Sequence, residues 1–82
     1  MSGRNRHWYA QLATMSLAPV AEFRSFARRT RGFKFTNEHT ARICQMKLRV
    51  ALPEVSKGDK EAARVWLTAH GYSHDITFGP FP

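Results

Sequence analysis

The residues with the clearest chemical potential are the arginines of the segment Arg24-Ser-Phe-Ala-Arg28-Arg29-Thr-Arg31. Arg24, Arg28 and Arg31 are spaced by four and then three residues, so on a helix they form one stripe. Guanidinium groups bond phosphate oxygens in pairs, which suits such a stripe to a phosphate backbone. Arg29 lies just beside the stripe and adds to its charge. A solvated helix face that binds nothing is the competing interpretation.

A second candidate surface combines basic and aromatic residues on the open face of a predicted sheet. If Met46, Leu48 and Val50 face the core, the residues between them face away. The predicted open face then carries Tyr9, Lys34, Gln45, Lys47 and Arg49. Lysine and arginine on a flat face can follow a phosphate backbone, and a tyrosine can stack on a base. A charged sheet face that only prevents edge pairing is an equally good explanation.

The stretch Arg31-Gly32-Phe33-Lys34-Phe35 is similar to part of the aromatic strand with which RNA recognition motifs stack bases. The similarity covers five residues, and in our assignment they lie on the second strand rather than the third. We therefore interpret Gly32 as a helix stop, and Phe33 and Phe35 as core residues. No family is assigned from this stretch.

Catalytic and metal-binding patterns are weak. The four histidines lack a set of nearby carboxylates, and the chain has no zinc-type Cys/His spacing, Walker loop or nucleophile elbow. The single cysteine, Cys44, cannot form an internal disulfide and is expected to be buried and inert. The sequence therefore predicts a protein without enzymatic activity, cofactor or bound metal.

Length and charge set the remaining limits. The 82 residues predict a single domain, residues 1 to 82, in which residues 1 to 6 form a basic N-terminal arm. Thirteen Lys and Arg against six Asp and Glu give a net charge of +7, which attracts nucleic acids or acidic protein surfaces. No secretion signal or membrane-length apolar run is evident, so we expect a soluble, cytoplasmic protein without membrane contact.

Two helices are predicted from residues that typically begin or end a helix. The first follows Pro19, buries Val20, Phe23, Phe26 and Ala27, and ends at Gly32. The second begins at Ser56 with Asp59 three residues later and ends at Gly71. Its inward face is predicted to hold Ala62, Val65, Trp66 and Ala69.

The other elements are interpreted as strands. Residues 7 to 17 and residues 44 to 52 show apolar residues at alternate positions, and residues 75 to 78 resemble a short strand. With a turn at residues 37 to 39, the order βαββαβ predicts a ferredoxin-like α+β domain, with two helices on one face of a four-stranded antiparallel sheet. The alternative is a small all-α domain, if residues 7 to 17 and 37 to 52 are helical.

The sequence thus predicts a small basic protein that binds DNA or RNA through its phosphate backbone. The alternative is an inhibitor or adaptor of the phage or plasmid type, for example against host defence, that docks on a host nucleic-acid-processing complex. A third possibility is a structural subunit of a larger ribonucleoprotein. Fold alone does not choose among these functions.

Overall fold

The fold is built from α-helices. The computed structural model describes residues 3 to 76, and for residues 3 to 7 it describes the backbone alone. The helices are α1 (Gly3–Ser16), α2 (Val20–Arg31), α3 (Glu38–Ala51) and α4 (Lys57–Ala69). Residues 3 to 76 contain no strand, so the predicted ferredoxin-like sheet is wrong and the small all-α alternative describes the chain.

Helix α1 replaces the predicted strand over residues 7 to 17. The alternation of Trp8, Ala10 and Leu12 suggested a strand, but Ala10 is exposed while Leu12 and Ser16 are buried and Trp8 is half-buried. Trp8, Leu12 and Ser16 follow one another at intervals of four residues, which is the period of a helix face. The strand assignment failed because this face also includes a serine, which hides the helical pattern.

Helix α3 replaces the predicted strand over residues 44 to 52. Its N-cap is Asn37, whose Oδ1 accepts a hydrogen bond from the backbone N–H of Thr40 at 2.9 Å. Its buried residues follow helical spacing: Ala41, Cys44, Gln45 and Leu48. Half-buried apolar residues between them produced the alternation that resembled a strand. The turn predicted at residues 37 to 39 is the start of this helix.

The ends predicted for α2 and α4 are confirmed. Gly32 ends α2 in the left-handed conformation, with φ of 64°, and Gly71 follows α4 with φ of 79°. Ser56 caps α4, since its Oγ accepts a hydrogen bond from the Asp59 N–H at 3.2 Å. Glycine adopts positive φ without steric cost, so it can reverse the chain at both ends.

The predicted inward face matches the buried residues of α2 but not those of α4. Phe23, Phe26 and Ala27 of α2 are buried, as predicted, and Val20 is half-buried. In α4 the buried residues are Ala63 and Leu67. The predicted inward face of α4 is wrong: Ala62, Val65 and Ala69 are exposed, and Trp66 is half-buried.

Helix α3 is the centre of the bundle. It packs against α1, α2 and α4, whereas α4 packs against no other helix of the described chain. The core around α3 contains Leu12, Phe23, Phe26, Phe35, Cys44, Leu48, Leu52 and Val55. Burying these side chains is the main favourable contribution to folding in so short a chain.

Side chains of α3 also cap the C-terminal end of α1. Nε2 of Gln45 donates to the carbonyl oxygens of Met15 at 3.1 Å and Ala18 at 2.9 Å. Nε of Arg49 donates to the carbonyl oxygen of Ser16 at 2.8 Å. The Met15 carbonyl also accepts a hydrogen bond from the Ala18 N–H at 3.2 Å. The last carbonyls of a helix lack partners within the helix, so the donors from α3 satisfy the carbonyls of Ser16 and Ala18 and add a second bond to that of Met15.

A side chain of α4 caps the C-terminal end of α3. Nζ of Lys60 donates to the carbonyl oxygens of Arg49 and Val50, both at 3.2 Å, and to that of Leu52. A cation at this position also interacts favourably with the negative end of the α3 dipole. The positive charges of Arg49 and Lys60 therefore help to hold the helices together.

The described residues include only part of the predicted N-terminal arm and of the predicted C-terminal strand. Residues 3 to 6 of the predicted N-terminal arm belong to α1, while residues 1 and 2 lie outside the described residues. Residues 75 and 76 are not a strand, and the rest of that predicted strand lies outside the described residues. Within residues 3 to 76, no helix has the length and apolar character needed to cross a bilayer.

Replacing Gln45 by alanine tests the capping of α1. Gln45 is 3% exposed, so Gln45→Ala removes the side-chain donor to the shielded Ala18 carbonyl and one of the two donors to the Met15 carbonyl. We expect the free energy of unfolding to fall by about 1 to 3 kcal/mol, measured by urea titration with circular dichroism. The matched control is Gln11→Ala on the exposed side of α1, which should change it by less than about 0.5 kcal/mol. Equal losses in the two variants would contradict the capping role.

Candidate functional site

A groove lies between α2 and the segment that follows it. After Gly32 the chain turns back along α2, and Phe35 packs against Phe23 with ring centroids 5.5 Å apart. This return places Lys34 beside two of the α2 arginines. The resulting hollow of about 260 Å³, which we call the basic groove, is lined by Ala21, Arg24, Ser25, Arg28, Lys34 and Phe35.

The three cations of the basic groove lie close together without a carboxylate among them. Nη2 of Arg24 donates to the Phe35 carbonyl oxygen at 3.4 Å, which anchors this side chain at the edge of the groove. The side chains of Arg28 and Lys34 are exposed and have no hydrogen-bond or ion-pair partner in the described part of the chain. Two ion pairs among the described side chains, Arg42–Glu38 and Arg64–Glu61, lie on other helices.

Ser25 connects the basic groove to the next cation. It also lines two adjoining hollows, of about 340 Å³ and 410 Å³, and Arg29 lines both of them. Glu22 also lines the larger hollow. The surface therefore extends across α2 from Lys34 to Arg29, and Ser25 lines all three hollows. Sequence reasoning did not single out Ser25; its position three and four residues before two arginines was the available signal.

Arg31 has a different environment from the rest of the arginine stripe. Its guanidinium carbon lies 4.5 Å from the centroid of the Trp8 ring, which in turn stacks on Phe26 at 5.7 Å. This cation–π contact orients Arg31 toward α1 and covers the half-buried tryptophan. The stacked guanidinium keeps N–H groups at its edge that can still donate to a phosphate.

The remaining predicted site residues are not brought to the basic groove. Lys47 and Arg49 lie on α3, and the open sheet face that was expected to present them does not exist in residues 3 to 76. Burial lowers the pKa of Arg49, an effect that nearby Asp59 opposes, and its guanidinium caps α1. Tyr9 lines a separate cavity of about 260 Å³ between α1 and α3, together with Leu12, Leu48, Ala51, Leu52, Pro53 and Ile76.

A second group of aromatic and imidazole side chains lies where the start of α3 meets the end of α4. The rings of Trp66 and His70 stack with centroids 4.0 Å apart, and Nε2 of His39 lies 2.9 Å from the Tyr72 hydroxyl. The rings of His39 and Trp66, with centroids 6.2 Å apart, join α3 to α4, and the His39–Tyr72 contact joins α3 to the segment after α4. Among the described residues, no group of three or more His, Cys, Asp or Glu side chains is arranged to hold a metal ion.

Cys44 is not available for surface chemistry. Its side chain is fully buried in the core around α3. Burial raises the pKa of the thiol to about 12, with nearby Lys47 opposing the shift. Because the thiolate is the nucleophilic form, the folded protein keeps this cysteine unreactive near neutral pH.

Comparisons with known proteins gave no match: no family model, curated protein or solved structure is significantly similar to this chain. The roles of its residues are accordingly argued from its own geometry and charge.

The buried thiol predicts a specific dependence of stability on pH. The folded pKa of Cys44 is about 12 and its ordinary value is 9.0, so above pH 9 the unfolded chain loses this proton first. The contribution to stability is complete below pH 9 and decreases as pH rises toward 12. We expect the unfolding free energy of the wild type to fall more steeply there than that of Cys44→Ala, by up to about 1.4 kcal/mol per pH unit.

Urea titrations of both proteins from about pH 7 to about pH 10.5 measure this difference. Subtracting the alanine variant removes the contributions of the lysines and tyrosines, which titrate in the same range. Parallel curves above pH 9 would show that the folded protein does not shift the Cys44 pKa.

Proposed function

We propose that this protein binds the phosphate backbone of nucleic acids through the basic groove and the adjoining arginines of α2, without catalysing a reaction. The observation that carries the proposal is the convergence of Arg24, Arg28 and Lys34 on one hollow with no carboxylate in its lining. Cations placed together without counterions repel one another, so an anion from outside the protein lowers their energy.

The distribution of charge along the chain supports the same surface. Residues 1 to 53 contain ten Lys and Arg against two Asp and Glu, whereas residues 54 to 82 contain three against four. Arg49 and Lys60 contact backbone carbonyls, which leaves α2 and Lys34 as the main uncommitted cationic surface of the described chain. A strongly basic, one-sided surface attracts nucleic acid before any specific contact forms.

The size and chemistry of the groove favour a phosphate over a larger ligand. Its volume of about 260 Å³ is below the usual range of small-molecule sites, which is roughly 300 to 1,000 Å³. Its lining contains no histidine, cysteine or carboxylate that could act as a general acid, base or nucleophile. Binding without catalysis is therefore the function that these residues support best.

The residues have separate roles in the proposed contact. Arg24, positioned by the Phe35 carbonyl group, and Arg28 donate to phosphate oxygens, while Lys34 supplies a third positive charge. The hydroxyl of Ser25 can donate a further hydrogen bond. Arg29 and Arg31 extend the contact to neighbouring phosphates. Such contacts fix position on a strand and carry little sequence information, so both DNA and RNA are expected ligands.

Fluorescence anisotropy with labelled single- and double-stranded DNA and RNA tests this function. We expect binding that weakens steeply between about 50 and 200 mM salt. Arg28→Gln and Lys34→Gln should each weaken binding about three- to tenfold and reduce the slope of log K against log salt by about 0.7 to 0.9. The reduction should be similar for unrelated sequences, because phosphate contacts are lost.

The matched control is Arg42→Gln, which removes the same charge from a residue already paired with Glu38 at 3.0 Å. It should change affinity by less than about twofold. Absence of binding at low salt, or equal effects of Arg28→Gln and Arg42→Gln, would contradict the proposal. Capture of one stoichiometric protein partner by the same arginines would instead favour an inhibitor or adaptor that docks on an acidic surface.

A further inference from the structure

Four rings at the junction of α3 and α4 form a platform that is held on one side and exposed on the other. His70 stacks on Trp66 with ring centroids 4.0 Å apart and ring planes 23° apart. Its Nδ1 donates to the Trp66 carbonyl oxygen at 2.8 Å, which holds the imidazole in this orientation. Trp66 is half-buried, whereas His70 is exposed. Because Trp66 covers one face of the imidazole, the exposed surface of His70 includes the opposite face. The ring platform, as we call it, consists of His39, Trp66, His70 and Tyr72.

The other two rings restrict the movement of this stack. The His39 ring lies 6.2 Å from that of Trp66 and 5.9 Å from that of Tyr72, measured between centroids. Nε2 of His39 also lies 2.9 Å from the Tyr72 hydroxyl. A ring that is already fixed loses little conformational freedom when a ligand stacks on it, which favours binding. Flat aromatic faces of this kind, those of histidine included, are the surfaces on which unpaired nucleic-acid bases stack.

The ring platform is close to the basic groove along the chain. Phe35 lines the groove, and His39 follows it by four residues, which span at most about 14 Å. The carboxylate of Glu38, between them, is already paired with Arg42 at 3.0 Å. A phosphate backbone that lies in the groove can therefore continue to the platform without meeting an unpaired carboxylate on this segment.

We propose that a base of a single-stranded nucleic acid stacks on the exposed face of His70, while phosphates of the same strand lie in the basic groove. This inference rests on the proposed function and narrows its ligand to single strands. In a duplex the faces of the bases are covered by neighbouring base pairs, so only an unpaired base can reach the imidazole. Every base has an aromatic face, so the contact selects strandedness and not sequence.

Fluorescence anisotropy of the full chain with three labelled probes of equal length tests the stacking contact. The probes are an oligothymidine strand, the same strand with abasic sites in place of the thymidines, and a duplex. The two single strands carry the same phosphates, so the contribution of the basic groove is the same in both. The wild type should bind the thymidine strand about five- to thirtyfold more tightly than the abasic strand, because only the thymidine strand has bases that can stack.

Variants of His70 assign that difference to its ring. His70→Leu keeps an apolar side chain over Trp66 but has no aromatic face, so it should bind both single strands with the abasic affinity and leave the duplex affinity within about twofold. His70→Tyr keeps an aromatic face and should retain the preference. The matched control is His74→Leu, which removes an imidazole that lies 3.1 Å from the Thr68 hydroxyl in a different hollow, next to Val65. It should bind all three probes as the wild type does.

Circular dichroism of each variant checks that the helices are intact. Salt-sensitive binding that depends on Arg28 but is equal for the thymidine and abasic strands would overturn the stacking contact and leave the proposed phosphate contact standing. A thymidine preference that persists in His70→Leu would also overturn it, by placing the base elsewhere. No binding of any probe at low salt would overturn both proposals. If His70→Leu fails to fold, His70→Gln, which also lacks a ring face, provides the same comparison.

Discussion

The arrangement of the helices depends on how the carbonyl groups at the end of α1 are satisfied. Helix α1 is followed by Leu17, Ala18 and Pro19, with no glycine that could turn the chain back and cap it. Its last carbonyl groups face α3, where Gln45 and Arg49 supply three hydrogen bonds. These bonds fix the α1–α2 connection on the surface of α3. Because unpaired buried carbonyls are costly, this contact also selects one packing of α1 over others.

Hydrogen bonds at helix ends also separate two cations of the fold, Arg49 and Lys60, from those of the basic groove. Arg49 and Lys60 donate to backbone carbonyls at helix ends, so their charge stabilises the fold. Arg28 and Lys34 have no such partner among the described residues and remain available to an external anion. The net charge of +7 therefore includes Arg49 and Lys60, whose donors are already bonded within the protein.

Sequence reasoning succeeded where the helix ends carry their own signals. Gly32, Ser56 and Gly71 mark the ends of α2 and α4 through local backbone chemistry, which does not depend on the rest of the fold. It failed for α3 because this helix has three neighbours and carries apolar residues around much of its circumference. Such a helix loses the one-sided pattern that distinguishes it from a strand.

The candidate site was also predictable only in part. The arginine stripe follows from spacing within one helix, and Arg24 and Arg28 do share the groove. The addition of Lys34 depends on a tertiary contact, the packing of Phe35 on Phe23, which returns the chain along α2. Ala62, Val65 and Ala69 of α4 were assigned to the core because spacing identifies an apolar face but not the direction in which that face points.

The central position of α3 explains why this small chain has two uncommitted surfaces of different character. A helix that packs on one neighbour buries one face and leaves the opposite face to solvent, and α4 packs on α3 alone within the described residues. Helix α2 packs on α1 and α3 and leaves Arg28 and Arg29 exposed on its outer side. Because α3 lies between α2 and α4, a ligand bound in the basic groove does not cover the exposed face of α4.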